Sequence, residues 1–236
     1  MALSKIDLDK AGVTGTLPTA NLDTVGVAQG GTGITSGTTD QFLKFTGTTT
    51  VASAADNAGG FIRVGGATVS GSVSSIAVDN VFTTTYDVYR IIGQLSPDTA
   101  GADYHIRFRN GGNDDSSNAY QTVGNQNYQG NGNNSTSTSA TGGWALTYIP
   151  FINGVITSNT TLPNFDFLFF NPMSTDRNKA IQGISSFYRT NDKYYFNSFA
   201  AYLNDGGSNS FEGITFFPSG GNFDKGYIDV YGMVKS

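Results

Sequence analysis

The chain has 236 residues, a formal net charge of −5, and only 13% charged residues. A charge content this low suits disorder only where aromatics are few, and 17 Phe with 12 Tyr argue for a folded protein instead. The acidic balance disfavours nucleic acid, which needs clustered Lys and Arg, and the absence of cysteine excludes disulfides and thiolate metal sites.

Gly, Asn, Ser and Thr supply turns, while Thr, Val, Tyr and Phe favour pleated surface, so a β-rich chain with many turns is expected. No apolar run is long enough to span a bilayer, and Met1 to Asp9 lacks a signal peptide's hydrophobic stretch. Synthesis in the cytoplasm without membrane insertion is the expectation.

Residues 1–60 form the first predicted region. Small apolar residues (Leu3, Ile6, Leu8, Val13, Leu17, Leu22, Val25, Val27) are scattered there among Gly, Thr, Ala, Ser and Asp with neither helical nor strand period. One such chain cannot bury enough surface to offset its ordering entropy. Three chains sharing an axis could, and a flexible linker is the alternative.

Residues 61–236 form the second region. Strands are predicted from Tyr86 through Ile92 towards Ser96-Pro97-Asp98, and over Tyr104–Arg109, where Tyr104, Ile106 and Phe108 alternate with His105, Arg107 and Arg109. Residues 110–143 are a polar tract interrupted by Tyr120, Val123 and Tyr128. It reads as two short edge strands around a wide loop, with Gly130 to Gly143 as loop. Further strands are predicted over Trp144–Phe151, Phe165–Phe170, Ala180–Arg189, Lys193–Leu203, Gly213–Phe217 and Gly226–Val234. Phe165, Phe167 and Phe169 share one face, and Asn191-Asp192 makes a turn. The fold class is all-β: an antiparallel sandwich of jelly-roll type behind an extended shaft.

Val27-Ala28-Gln29-Gly30-Gly31-Thr32-Gly33 resembles the V-x-x-G-G-T-G motif of tailed-bacteriophage tail fibres. Leu17-Pro18-Thr19-Ala20-Asn21-Leu22 before it and Asp40-Gln41-Phe42-Leu43 after it fit the same context. The stretches Val78–Phe82, Tyr86–Ile91, Ser219–Phe223 and Gly226–Gly232 resemble a β-sandwich of marine and cyanobacterial phage structural proteins. The resemblance implies a homotrimeric virion fibre. Residues 1–60 would be its shaft and attachment segment, bound to a tail or adaptor protein, with Val27, Gly30, Gly31, Thr32 and Gly33 as structural motif residues. Residues 61–236 would be a head facing a host glycan or protein. A capsid decoration or head fibre built on the same sandwich is the alternative. A shaft of ~60 residues spans at most about 200 Å.

Catalytic candidates are few. His105 is the only histidine, has no cysteine to work with, and is expected as an exposed strand residue. Asp114-Asp115 is the only adjacent acidic pair, reads as turn chemistry, and lacks the glutamate of a Ca²⁺ loop. Gly31–Ser36 lacks the Lys of a phosphate loop. A depolymerase would need a long repeat and an acidic groove, so no enzyme activity, metal or cofactor is expected.

Recognition is the remaining role. Tyr120, Tyr128 and Trp144 border the polar tract, where Gln121, Asn125 and Asn127 offer amides beside Asn118 and Gln126. Sugars present hydroxyls to amides and C–H faces to aromatic rings, so a saccharide site is predicted at Tyr120, Gln121, Asn125, Asn127, Tyr128 and Trp144. The alternative is that these aromatics pack inside the sandwich or a trimer interface.

Overall fold

The computed structural model describes residues 42–45, 51–54, 60–129, 139–155, 162–189 and 193–234. The chain divides into two compact units, Met1–Asn57 and Ala58–Ser236. The described part of the first unit is an antiparallel hairpin, β1 (Phe42–Phe45) with β2 (Val51–Ala54), pairing Phe42 with Ala54 and Phe45 with Val51. The hairpin was not anticipated. Val27, Gly30, Gly31, Thr32 and Gly33, with the rest of residues 1–41, lie outside the described residues.

The second unit is all-β, with no helix among the described residues. Its first strands are β3 (Phe61–Val73), β4 (Ile76–Val78), β5 (Val88–Pro97), β6 (Ala102–Asn110) and the two-residue β7 (Asn113–Asp114). There follow β8 (Tyr120–Gln129), β9 (Ser139–Leu146) and β10 (Ile149–Val155). The last are β11 (Asn164–Phe170), β12 (Lys179–Arg189), β13 (Lys193–Leu203), β14 (Gly213–Pro218) and β15 (Phe223–Met233).

All pairings are antiparallel. Eight strands make a large sheet in the order β3-β15-β5-β11-β12-β13-β8-β9, and β10-β6-β14-β4 make a smaller one. The two join along one side where Val155 of β10 pairs with Arg189 of β12, giving a sandwich closed towards a barrel. Gly154 makes that seam. Its φ of +70° bends β10, and a Cβ there would lie 2.6 Å from Arg189 Nε.

The core follows from period-two alternation in both sheets. Phe165, Phe167 and Phe169 share one face of β11, as expected; that face points inward, where they meet Phe151, Phe216 and Phe108 from the smaller sheet. Phe151 meets Phe165, Phe167 and Phe216 edge to face at 5.0–6.1 Å, an arrangement their quadrupoles favour, while Phe108–Phe169 and Phe165–Phe216 are stacked at 4.5 and 5.3 Å. Lys179 is fully buried, with Nζ 3.6 Å from Asp205 Oδ2, an ion-pair contact longer than a hydrogen bond, beside the Phe211 ring. Asp205 also accepts from the backbone N–H groups of Gly207 and Asn209, so the pair cinches the β13–β14 loop.

Three expectations are corrected here. His105 is not exposed: Pro150 and Phe217 flank it in the strand register, Tyr148 stacks on it at 4.0 Å, and only 6% of its surface is accessible. The polar tract holds a ten-residue strand, β8, flanked by β13 and β9 rather than a short edge strand, and residues 139–143 belong to β9 rather than to a loop; residues 130–138 lie outside the described residues. Trp144–Phe151 is not one strand, since the chain turns at Thr147-Tyr148 between β9 and β10. The predicted Asn191-Asp192 turn lies outside the described residues.

Candidate functional site

The outer face of the large sheet, away from the core, carries the site. Along β8 the residues Gln121, Val123, Asn125 and Asn127 face outward, and along β13 their neighbours are Tyr202, Ala200, Ser198 and Phe196. The local geometry turns on a β-bulge in β9. Tyr120 pairs with Leu146 and Thr122 with Gly143, so β9 spends one more residue than β8 between these pairs. Ala145 accommodates it with a φ of +54°, a left-handed conformation that costs an L-residue about 1–2 kcal/mol. The bulge lets Leu146 return to the core while Trp144 stays outside.

Trp144 is the only tryptophan and is 78% exposed. It walls a concavity of about 490 Å³ whose floor is small, with Ala180 and Ala200, and whose rim bears Gln121, Gln182, Phe170 and Tyr202. The Tyr202 hydroxyl donates to Gln121 Oε1, which leaves the Gln121 amide N–H groups to face a ligand. Among the described residues, none that lines this concavity is charged. An indole face, two amides and a phenol around an uncharged hollow suit stacking and neutral hydrogen bonding.

The structure sorts the six predicted residues. It brings Gln121 and Trp144 together in this hollow and puts Asn125 and Asn127 on the same face, further along β8. It removes the two tyrosines. Tyr120 is wholly buried: its hydroxyl accepts from Phe108 N–H and donates to Asp115 C=O, both at 3.0 Å, and burial pushes its pKa above the usual phenol range. Tyr128 faces inward against Tyr195 at 5.2 Å, with Lys193 Nζ 4.5 Å from its ring. Gln182, Tyr202, Ala180 and Ala200 were missed. Period two in β13 would have placed Tyr194, Phe196 and Tyr202 together on one face; what it could not supply is the neighbouring strand.

A second hollow, about 270 Å³, lies on the inner side of β8 and β9. Asn197 donates to Phe151 C=O at 3.2 Å and keeps its Oδ1, buried and without a partner, beside it. One water could satisfy that acceptor, so the outer hollow is the more open to a larger ligand. Among the described residues no cluster of three or more His, Asp or Glu could hold a metal ion. The chain matches no protein-family model, no curated protein and no solved structure.

Proposed function

We propose that the chain is a non-enzymatic fibre protein of a phage virion whose head unit binds sugars of the host-cell surface. One observation carries the binding half of this reading: the single tryptophan stands exposed at a strained bulge, beside amides and above an uncharged hollow. A large aromatic held in water at a backbone cost is poor for stability and well suited to stacking on a sugar ring. The phage half rests on the resemblance at residues 27–33 and in the sandwich strands. The homotrimer rests on the same resemblance. Three weak sites per fibre would act through avidity.

The test uses the full chain. Trp144→Ala should keep the far-UV CD spectrum and urea midpoint and lose glycan-array and cell-surface binding by at least about tenfold, the value of one good aromatic contact. Unchanged binding by this variant overturns the site. Light scattering on the eluted protein checks the assembly, and a monomer at micromolar concentration overturns the trimer.

A further inference from the structure

The strand register carries the hollow beyond Trp144. Reading the register partners across the large sheet gives one continuous transverse row: Gly142, Val123, Ala200, Gln182, Leu168, Arg90, Tyr231, Arg63. Every strand of the sheet contributes one outward residue to it. At the usual inter-strand spacing its seven steps span about 34 Å. A further concavity of about 560 Å³ lies on this row, lined by Phe61, Arg90, Asp166, Leu168, Gln182 and Ile184. Gln182 lines both hollows, so they meet at β12.

The flanking rows supply walls. Tyr202 and Phe170 stand on one side of Ala200 and Gln182, and Ile184 and Asp166 on the other. Gly142 and Ala200 keep the floor low at the Trp144 end, and the two hollows adjoin at Gln182, so the channel runs across the strands from β9 towards β5.

Its charge is compensated. Among the described residues, Arg90 and Asp166 are the only charged ones lining the two hollows, and they hold each other through two hydrogen bonds, Nε–Oδ1 at 2.9 Å and Nη2–Oδ2 at 2.5 Å. Further along, Arg63 Nε binds Asp229 Oδ1 at 2.7 Å. An anionic polymer would meet no spare cation there, and would have to break a bidentate pair to make one. The Arg90 guanidinium also lies 5.7 Å from the Phe61 ring, which helps hold that wall in place.

We propose that this trough binds a linear, uncharged polysaccharide lying across the strands, with Trp144 at one end and the Phe61–Arg90 hollow as a second subsite. The proposal rests on the glycan reading above and adds the ligand's shape and charge. Its partner is a chain held along several units rather than a terminal sugar.

The experiment titrates the full-length protein with graded linear glucan, mannan and galactan oligomers, from dimers to decamers, alongside sulfated and carboxylated counterparts. For at least one neutral series, affinity should rise at least about tenfold from dimer to hexamer, matching one added aromatic contact, and then level off. Ile184→Glu and Phe61→Ala should each reduce hexamer affinity to that of the dimer and leave dimer binding unchanged. These residues are outward and exposed, and a urea midpoint checks that both variants fold. Equal affinity at all lengths, with Trp144→Ala still harmful, overturns the trough and leaves the Trp144 site standing. Preference for the anionic series overturns the charge argument. An Ile184→Glu variant that turns an oligomer into a monomer also overturns the trough, because the face is then an interface between copies. Failure of every glycan to bind the folded wild type overturns both readings.

Discussion

His105 sets a pH limit on the head unit. It is enclosed by Tyr148, Pro150 and Phe217 and loses its water, and this desolvation pushes its pKa down from 6.5 to about 4. Asp103 pulls the other way and Arg107 adds to the depression, but burial dominates. The unfolded chain therefore binds a proton between pH 6.5 and 4 that the folded chain refuses. Stability is full above about pH 6.5 and falls as the pH drops towards 4, by at most 2.5 units at 1.36 kcal/mol each, or about 3 kcal/mol. That is a large part of a typical domain's 5–15 kcal/mol. The assay is urea unfolding at a series of pH values between 7.5 and 4 for the wild type and His105→Phe, which keeps a ring against Tyr148 but cannot titrate. Asp98 and Asp176, held below the usual carboxylate range by hydrogen bonds from Asn222 and Ser174 respectively, lose stability only at lower pH, and do so in both proteins. The stability difference should change by about 3 kcal/mol in favour of the variant across this window. Parallel curves would refute the argument.

Two packing predictions accompany it. Tyr120→Phe removes one hydroxyl and leaves Phe108 N–H and Asp115 C=O without it, so it should cost about 1–3 kcal/mol in urea unfolding while glycan binding stays unchanged. Phe167→Ala empties the meeting point of Phe151, Phe165 and Phe199 and should cost about 3–5 kcal/mol, read as a lower urea midpoint at constant slope.

The core strands were legible because their burial is one-sided. Tyr104, Ile106 and Phe108 on β6 and the three phenylalanines of β11 alternate cleanly, and each lies in the core. β8 was misread because its inward positions are Tyr120, Thr122, Gly124, Gln126 and Tyr128, of which only two are large and apolar. The core there is filled from the partner strand. A Cβ on Gly124 would stand 3.1 Å from Phe199 Cβ and 2.8 Å from Ser198 O, so the glycine makes room for its neighbour. Gln126 pairs with Asn197, whose amide is spent on Phe151 C=O. Such a strand looks like a short edge strand until its partners are known. His105 misled for the same reason: its cover comes from β10, β14 and the β9–β10 turn, at least forty residues away in sequence.

The bulge was beyond any pattern in the sequence, since an unbroken register would pair Ala145 with Tyr120 and turn Leu146 outward. Its cost gives a separate check on the proposed site. Ala145 holds a left-handed φ that glycine adopts freely, so Ala145→Gly should raise stability by about 1 kcal/mol, visible as a higher urea midpoint. A position where a one-methyl deletion stabilises has kept its strain for some other reason, and the neighbour that would benefit is Trp144. If the strained residue fixes the indole over the hollow, the glycine variant should be more stable and bind more weakly, because the looser backbone lets the ring sample other directions. Higher stability with unchanged binding would make the strain incidental. Lower stability would mean that contacts of the Ala145 methyl group, with the entropy that glycine adds to the unfolded chain, outweigh the strain of its φ.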